Sequence, residues 1–256
     1  MLSNIIEIIV LSIVQGISEF LPISSSAHLN IVEIVFEFNS NSLMVDVSLH
    51  LGSLLAIIFY FRKELLDLKN NQKLLSLLII GSIPIVITGY IVSTTGLINL
   101  LENNLKIIAW TTLIFGIFLY IADKSKFDKK ISSDLNFKTI LYIGLFQILS
   151  LIPGVSRAGI TITAARFFKF NRFDSSKISF LLAIPAIAGA SALQFKNAVA
   201  QSFELNFLIL ISITLSFLFS YFTIKFFLEY INRFSLNIFV IYRIIISVIL
   251  FIIIYN

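Results

Sequence analysis

The sequence predicts an all-α polytopic membrane protein with six transmembrane helices and two re-entrant helical hairpins arranged as an inverted repeat. Three observations support this fold class. Of the 256 residues, 58% are hydrophobic and 13% are charged, and the mean hydropathy is +0.98. Apolar runs of about 20 residues, the length that crosses a bilayer, recur along the chain. Two further apolar segments are interrupted near their middles by helix breakers.

Six apolar runs between polar loops predict the spanning helices. They cover residues 43–61, 74–97, 105–122, 176–196, 205–230 and 236–255. The chain has no cysteine, which excludes disulfides, thiolate metal ligands and a cysteine nucleophile. The formal charge of +5 does not indicate a nucleic-acid partner, because basic residues in the loops of a membrane protein mark its cytoplasmic side.

The two interrupted segments are 3–38, broken at Pro22, and 137–169, broken at Pro153 and Gly154. Each half has about 12 to 16 residues, which is short for a span. We therefore expect two hairpins that enter and leave the membrane on one side, with protein or water covering their irregular backbone.

Basic residues are distributed unevenly among the predicted loops. If the first hairpin opens to the outer face, the outer loops carry only Lys106 and Lys196. The positive-inside rule favours this orientation, with both termini outside. The inner loops then hold 15 basic residues: Arg62, Lys63, Lys69, Lys73, Lys124, Lys126, Lys129, Lys130, Lys138, Arg166, Lys169, Arg172, Lys177, Lys225 and Arg233.

The two broken segments also resemble each other. Residues 22–27 and 153–158 share the pattern P-x-x-S-x-A, and a Leu-Leu-Ala-Ile run follows each segment. Three predicted spans separate the segments, and this odd number requires the repeats to be inverted. We predict one integral membrane domain over 1–256, with repeat one at about 1–122, a cytoplasmic linker at 123–136 and repeat two at 137–256. The hairpin tips then meet near the midplane.

Polar side chains are concentrated at the two breaks. A serine after each proline is a good cap for a new half-helix, and two half-helix N-termini facing one cavity form a positive pocket suited to phosphate. Arg157 lies in the first turn of the second half-helix, where a guanidinium can bind phosphate through two N–H groups. Ser24 and Ser25 lie one helical turn from His28, and a serine beside a base is typical of an activated nucleophile.

Each of these residues also has a purely structural interpretation. The serines can cap a helix, His28 can be a buried hydrogen-bonding residue, and Glu19 can pair with Arg157 to join the repeats. His50 and Gln147 can reach a ligand or only pack helices together. Residue chemistry alone leaves two classes open: an enzyme acting on a lipid phosphate, and a transporter that moves an anion or a lipid headgroup by alternating access.

Three motifs carry a resemblance to a known family. Residues 15–28 read Q-x-x-x-E-F-L-P-I-S-S-S-x-H, residues 46–53 read D-V-S-L-H-L-G-S, and residues 147–161 read Q-x-x-S-L-x-P-G-x-S-R-x-G-x-T. Together they resemble the bacterial undecaprenyl-diphosphate phosphatases, also called the bacitracin-resistance protein family, over nearly the whole chain. The resemblance implies a membrane hydrolase that converts undecaprenyl diphosphate to undecaprenyl phosphate and phosphate. This reaction recycles the carrier lipid for peptidoglycan and confers bacitracin resistance.

The resemblance also implies the roles of single residues. By motif position, Glu19 is the second glutamate of the family, Ser25 its proposed nucleophile, His28 its essential histidine and Arg157 its phosphate-binding arginine. Either Glu19 or His28 takes the proton of Ser25; alternatively, His28 attacks directly or activates water. The residues expected to bind substrate are Gln15, Ser24, Ser26, Gly154, Ser156, Gly159 and Thr161.

The sequence departs from the family pattern at two positions. Gln15 stands where many members carry a first glutamate, so the expected divalent cation, Mg²⁺ or Ca²⁺, is held more weakly. Ala158 replaces the usual serine after the arginine, which argues against an essential hydroxyl there. The expected partners are undecaprenyl diphosphate, membrane lipid and, in a homodimer, a second copy of the chain. The expected location is the inner (plasma) membrane, with the active site opening to the outer face.

Overall fold

The described part of the computed structural model is helical and comprises residues 2–36, 43–96, 104–124, 128–201 and 207–255. An isolated bridge between Lys129 and Phe170 is the only strand-like pairing within these ranges. The helices are α1 (Leu2–Ser18), α2 (Ser25–Phe36), α3 (Leu43–Tyr60), α4 (Arg62–Asp67), α5 (Gln72–Thr95), α6 (Leu105–Asp123), α7 (Ile131–Asp134), α8 (Phe137–Gln147), a 3₁₀ helix (Ile148–Leu151), α9 (Arg157–Phe167), α10 (Arg172–Gln201), α11 (Phe207–Ile231) and α12 (Asn237–Tyr255).

Six of these helices are long and apolar enough to cross a membrane, namely α3, α5, α6, α10, α11 and α12. Their bounds match the six predicted spans to within five residues, so the prediction of an all-helical protein with six candidate spans is confirmed. The largest difference lies in α10. It begins at Arg172, earlier than predicted, because Asn171 caps it by accepting a hydrogen bond from the Asp174 amide at 2.8 Å.

The two broken segments are interrupted where the sequence predicts. A turn over residues 19–24 separates α1 from α2, and the 3₁₀ helix followed by a turn separates α8 from α9. The first helix ends at Ser18 because the ring of Pro22 would clash with the carbonyl four residues earlier, that of Ser18, if the helix continued. Each segment therefore consists of two short helices that meet at a polar turn.

Helices from the two halves of the chain pack against each other in matching pairs. α1 contacts α11 while α8 contacts α5, and α3 contacts α11 while α10 contacts α5. Glycines permit the closest approaches. A Cβ on Gly144 of α8 would collide with the carbonyl of Gly81 in α5, and a Cβ on Gly16 of α1 would lie 2.5 Å from Cβ of Phe219 in α11. The polar turns are thereby enclosed by the long helices.

A buried ionic cluster fixes the ends of three long helices. Asp123, at the end of α6, accepts hydrogen bonds from Arg172 at 2.7 and 3.0 Å and from the Leu236 amide at 3.0 Å. Arg166 lies 3.4 Å from the same carboxylate. These residues belong to the side of the molecule that carries the predicted inner loops, so the cluster anchors that side.

Candidate active site

The two polar turns each end in a serine with a positive φ. Ser24 has a φ of 75° and Ser156 a φ of 71°, and each immediately precedes a helix. Residues other than glycine seldom adopt a positive φ, because Cβ then approaches the backbone. The Ser156 hydroxyl accepts a hydrogen bond from the Gly159 amide at 3.1 Å, which confirms it as the cap of α9. Both serines thus turn the chain sharply into a new helix.

The two serines with a positive φ are not the two that the shared letter pattern aligns. The shared pattern P-x-x-S-x-A pairs Ser25 with Ser156, whereas the backbone pairs Ser24 with Ser156. The reason is that the second turn holds one more residue between its proline and its helix. The longer turn contains Gly154, whose φ is 86°. Ser25 and Arg157 are counterparts in one respect: each is the first residue of the helix that follows a polar turn.

Glu19 connects these two counterparts. Its Oε1 accepts a hydrogen bond from Nη2 of Arg157 at 3.1 Å, and its Oε2 accepts one from the Ser25 hydroxyl at 2.8 Å. Nε2 of Gln15 donates to the same Oε2 at 3.1 Å. Glu19 is buried, and a buried carboxylate needs such partners to stay ionised. One carboxylate thus holds a hydroxyl and a guanidinium side by side.

Arg157 makes further contacts around this carboxylate. Its Nη1 donates to the Ser179 carbonyl of α10 at 3.3 Å, and its guanidinium carbon lies 5.9 Å from the centre of the Phe20 ring. The Nε atom is buried and has no hydrogen-bond partner in the described part of the chain. The arginine is therefore held in place by protein groups while one N–H donor stays unused.

His28 does not contact a serine hydroxyl among the described residues. Its Nδ1 lies 2.6 Å from the Ser24 carbonyl, one turn earlier, and its Nε2 lies 2.7 Å from the Tyr242 hydroxyl of α12. A carbonyl only accepts, so Nδ1 carries the proton and Nε2 accepts from the tyrosine. The helical spacing predicted from the sequence is correct, but the contact runs through the backbone of Ser24.

Of the remaining predicted binding residues, one is exposed and three are buried. Ser26 is exposed, and its hydroxyl lies 3.3 Å from that of the buried Ser24. Gly154, Gly159 and Thr161 are buried in packing contacts: a Cβ on Gly154 would lie 2.7 Å from the Ile108 carbonyl of α6, and Thr161 donates to the Ser179 hydroxyl at 2.6 Å. Their predicted substrate contacts stay predictions. In this arrangement they support the turn instead.

Arg243 is a central residue that the sequence interpretation missed. It is fully buried in α12, and its guanidinium donates to four carbonyls, with bonds of 3.0 Å to Thr112, 3.2 Å to Pro22, 3.1 Å to Val155 and 2.9 Å to Gly154. It thereby links both turns to each other. A signal was present, because a lone arginine within an apolar span is unusual and marks a functional site by default.

His50 and Tyr242 also reach the site. Nδ1 of His50 lies 2.9 Å from Nε2 of Gln15, and the ring of Tyr242 lies parallel to that of His28 at 5.5 Å. The sequence interpretation named His50 without assigning it a role and did not single out Tyr242. A tyrosine on a lipid-spanning helix gives no signal by itself, since most such residues face lipid or pack.

The donor set does not fit a resident metal ion. Among the described ranges, no three His, Cys, Asp or Glu side chains are grouped to hold one. The single carboxylate at the site has both oxygens occupied by Arg157, Ser25 and Gln15. Mg²⁺ and Ca²⁺ prefer several oxygen ligands, and this cluster offers one carboxylate that is already hydrogen-bonded.

Comparison with known proteins places this site in a family. Residues 8–249 match the model of the bacitracin resistance protein BacA. The chain belongs to the BacA family. It is 89% identical over its full length to the undecaprenyl-diphosphatase of Pelagibacter ubique (strain HTCC1062), which it also covers completely. It is 39% identical to the undecaprenyl-diphosphatase of Elusimicrobium minutum (strain Pei191), over 96% of this chain and 97% of the relative. It is 37% identical to that of Teredinibacter turnerae (strain ATCC 39867 / T7901), over 97% of this chain and 99% of the relative.

The BacA match includes every residue of the described cluster. Gln15, Glu19, Ser25, Arg157 and Arg243 all lie between residues 8 and 249. The family resemblance inferred from the sequence motifs is therefore confirmed. This BacA family member brings together residues from both turns and from α3 and α12.

Proposed function

We propose that the chain is an undecaprenyl-diphosphatase, a membrane hydrolase that converts undecaprenyl diphosphate to undecaprenyl phosphate and inorganic phosphate. The observation that carries this proposal is Glu19, whose carboxylate holds the Ser25 hydroxyl on one oxygen and the Arg157 guanidinium on the other. A nucleophile, a base and a phosphate-binding cation are thus adjacent. The names of the relatives support the same reaction.

The architecture we propose is one domain of two inverted repeats, each with a re-entrant hairpin. The matching contacts of α1 with α11 and of α8 with α5 support it, because a two-fold relation exchanges such pairs. The positive φ shared by Ser24 and Ser156 supports it as well. The two half-helix N-termini then lie near the midplane, where their free amides favour an anion.

The orientation we propose places both termini and the mouth of the site on the outer face of the bacterial inner membrane. The support is the uneven distribution of basic residues. Because the natural chain has no cysteine, Lys73→Cys and Lys106→Cys form a matched pair of probes for a membrane-impermeant thiol reagent. In intact cells only the Lys106→Cys chain should react. The opposite labelling would contradict the orientation.

The prenyl tail of the substrate would lie against the apolar surface between the repeats. A groove of about 450 Å³ between α5 and α10 has this character and is lined by residues such as Leu78, Ile83 and Leu181. In this proposal the diphosphate occupies the polar cluster while the tail lies against apolar side chains.

The reaction proceeds in two steps, transfer of the terminal phosphoryl group to Ser25 and hydrolysis of the phosphoserine. The Ser25 oxygen bonds to the terminal phosphorus while the bridging P–O bond breaks, and the Ser25 proton passes to Oε2 of Glu19. Arg157 and the amides of α2 and α9 stabilise the charge on the transferred phosphoryl group. Glu19 then gives this proton to the departing undecaprenyl phosphate. In the second step a water oxygen bonds to the phosphorus while the bond from phosphorus to the Ser25 oxygen breaks, and Glu19 passes the water proton to the Ser25 oxygen, which releases phosphate. No step passes through a metal ion, and the expected Mg²⁺ or Ca²⁺ stays a prediction, as does the homodimer.

Glu19 is the base we favour over His28. The Ser25 hydroxyl already donates to Glu19, whereas Nε2 of His28 accepts from Tyr242. Attack by His28 itself would require that tyrosine to leave. The two nucleophiles are separable by their chemistry, since a phosphoserine survives acid and a phosphohistidine does not.

The test uses undecaprenyl diphosphate labelled with ³²P at the terminal phosphate. Purified protein is mixed with the lipid, quenched within one turnover in acid or in base, and digested. We expect acid-stable label at Ser25, absent from the Ser25→Ala protein. Label that survives only base would assign the nucleophile to His28. Phosphate release from a folded protein that never carries label would indicate direct attack by water and contradict the serine mechanism.

A further inference from the structure

His50 lies in the second turn of α3, at the edge of the Glu19 cluster, and has no role in the proposed phosphoryl transfer. Its Nδ1 is 2.9 Å from Nε2 of Gln15, and its ring is half-buried. Nε2 of His50 has no hydrogen-bond partner among the residues that the structure describes. A polar ring atom that remains unpaired beside a phosphate site is a candidate ligand contact.

The orientation of the Gln15 amide determines the chemistry of this histidine. Nε2 of Gln15 also lies 3.1 Å from Oε2 of Glu19. Because Glu19 is paired with Arg157, it is an ionised acceptor, and an amide oxygen in that position would be repelled. The nitrogen of the fully buried Gln15 must therefore face Glu19. Its two N–H groups then serve Glu19 and His50.

The second of these N–H groups requires a lone pair on Nδ1 of His50. The neutral imidazole then carries its proton on Nε2, which makes that atom a hydrogen-bond donor. The chain of contacts from Arg157 through Glu19 and Gln15 thus fixes the tautomer of a histidine on a different helix. A glutamate at position 15 could not donate to Nδ1, so this arrangement depends on the glutamine.

We propose that Nε2–H of His50 donates a hydrogen bond to a phosphate oxygen of the lipid diphosphate, with Gln15 as the positioning residue that fixes the donor tautomer. This inference rests on the proposed phosphatase function. His50 supplies a donor at Nε2 while its Nδ1 is engaged by Gln15, so it binds the diphosphate without competing with Arg157 for the carboxylate. The site then holds phosphate from α3 as well as from the two half-helices.

Two isosteric variants separate this role from a purely structural one. In His50→Gln the side-chain amide reaches the position of Nε2 and keeps a donor there, but it loses the acceptor for Gln15. In His50→Asn the amide reaches only the position of Nδ1, so it keeps the acceptor for Gln15 and loses the phosphate donor. KM and kcat for release of phosphate from undecaprenyl diphosphate are measured for both, with wild type and Ser25→Ala beside them.

We expect kcat/KM of His50→Asn to fall on the order of tenfold to hundredfold, the usual effect of one hydrogen bond to a charged group, and that of His50→Gln to fall clearly less. A larger loss in His50→Gln, or equal losses in both, would overturn the proposal. If wild type itself releases no phosphate, the proposed function fails and not only the role of His50.

A spectroscopic readout does not depend on turnover. The chain has two histidines, so ¹⁵N NMR of histidine-labelled protein in detergent is assigned by the signal that disappears in His50→Gln. At a pH where the ring is neutral, His50 should show the Nε2–H tautomer and His28 the Nδ1–H tautomer. An Nδ1–H tautomer at His50 would overturn the proposal, even if the His50→Asn protein fails to fold.

Discussion

Nη2 of Arg157 donates to Oε1 of Glu19 across 3.1 Å, and this pair connects the first turn of α9 to the turn that follows α1. The other oxygen of the carboxylate holds Ser25, the first residue of α2. Glu19 therefore ties the starts of α2 and α9 together.

Arg157→Lys should reduce kcat/KM by about a hundredfold or more. Lysine keeps the charge, but a single ammonium cannot bind Glu19 and the Ser179 carbonyl and still present a planar pair of donors to phosphate. Arg172→Lys is the matched control, since Arg172 also pairs with a buried carboxylate, Asp123, but lies in the ionic cluster at the ends of the long helices. Equal loss in the two variants, measured by phosphate release, would contradict a specific role for Arg157.

The free energy of unfolding of the Ser24→Gly protein should exceed that of the Ser24→Ala protein by about 1 kcal/mol, because only glycine adopts the φ of 75° without strain. Ser76 is exposed within helix α5. There the alanine variant should be the more stable one, since alanine stabilises a helix by about 1 kcal/mol relative to glycine. Thermal unfolding of the four variants in detergent measures both differences. Alanine more stable than glycine at both positions would show that the turn at Ser24 is not strained.

Arg243→Met should lower the free energy of unfolding by about 3 kcal/mol or more. The change removes the guanidinium that donates to the buried carbonyls of Thr112, Pro22, Gly154 and Val155, of which the Gly154 carbonyl keeps a bond from the Thr112 hydroxyl at 3.3 Å. The exposed Arg233 offers the control Arg233→Met, for which a change within about 0.5 kcal/mol is expected. An Arg243→Met protein that unfolds like wild type would show that the two turns hold their positions without this arginine.

Gly144→Ala should destabilise the protein by about 1–3 kcal/mol, because the new methyl group would collide with the Gly81 carbonyl and separate α8 from α5. Gly189 also lies within a helix, but nothing is within 4 Å of a Cβ placed there. Gly189→Ala should therefore be neutral or stabilising by up to about 1 kcal/mol. Thermal unfolding of the two alanine variants tests whether the contact between α8 and α5 depends on Gly144.

Much of this arrangement could be predicted from local sequence. Helix breakers beside ionisable groups in an apolar chain indicated where the backbone turns, and Glu19, Ser25 and Arg157 were singled out for that reason. The structure brings these three side chains together. Apolar periodicity likewise predicted the six candidate spans, because length and hydropathy alone determine that property.

The rest depends on tertiary contacts that no local pattern encodes. The letter pattern aligns Ser25 with Ser156, whereas the positive φ values fall on Ser24 and Ser156, because the second turn is one residue longer and a letter pattern does not report φ. The partner of the Ser25 hydroxyl was left open between His28 and Glu19, since helical spacing brings serine and histidine to one face but does not orient the ring. Tyr242 and Arg243 enter the site from α12, far along the chain.

The most direct test of the account is release of phosphate from undecaprenyl diphosphate by the purified protein in detergent, with Ser25→Ala and Ser18→Ala beside it. Ser18 precedes Glu19, and its hydroxyl donates to the Val14 carbonyl of its own helix, so Ser18→Ala is the matched control. We expect release by wild type and Ser18→Ala, and a loss of about a thousandfold or more in Ser25→Ala. Release by Ser25→Ala at the wild-type rate, or lipid binding without release by folded wild type, would contradict the account.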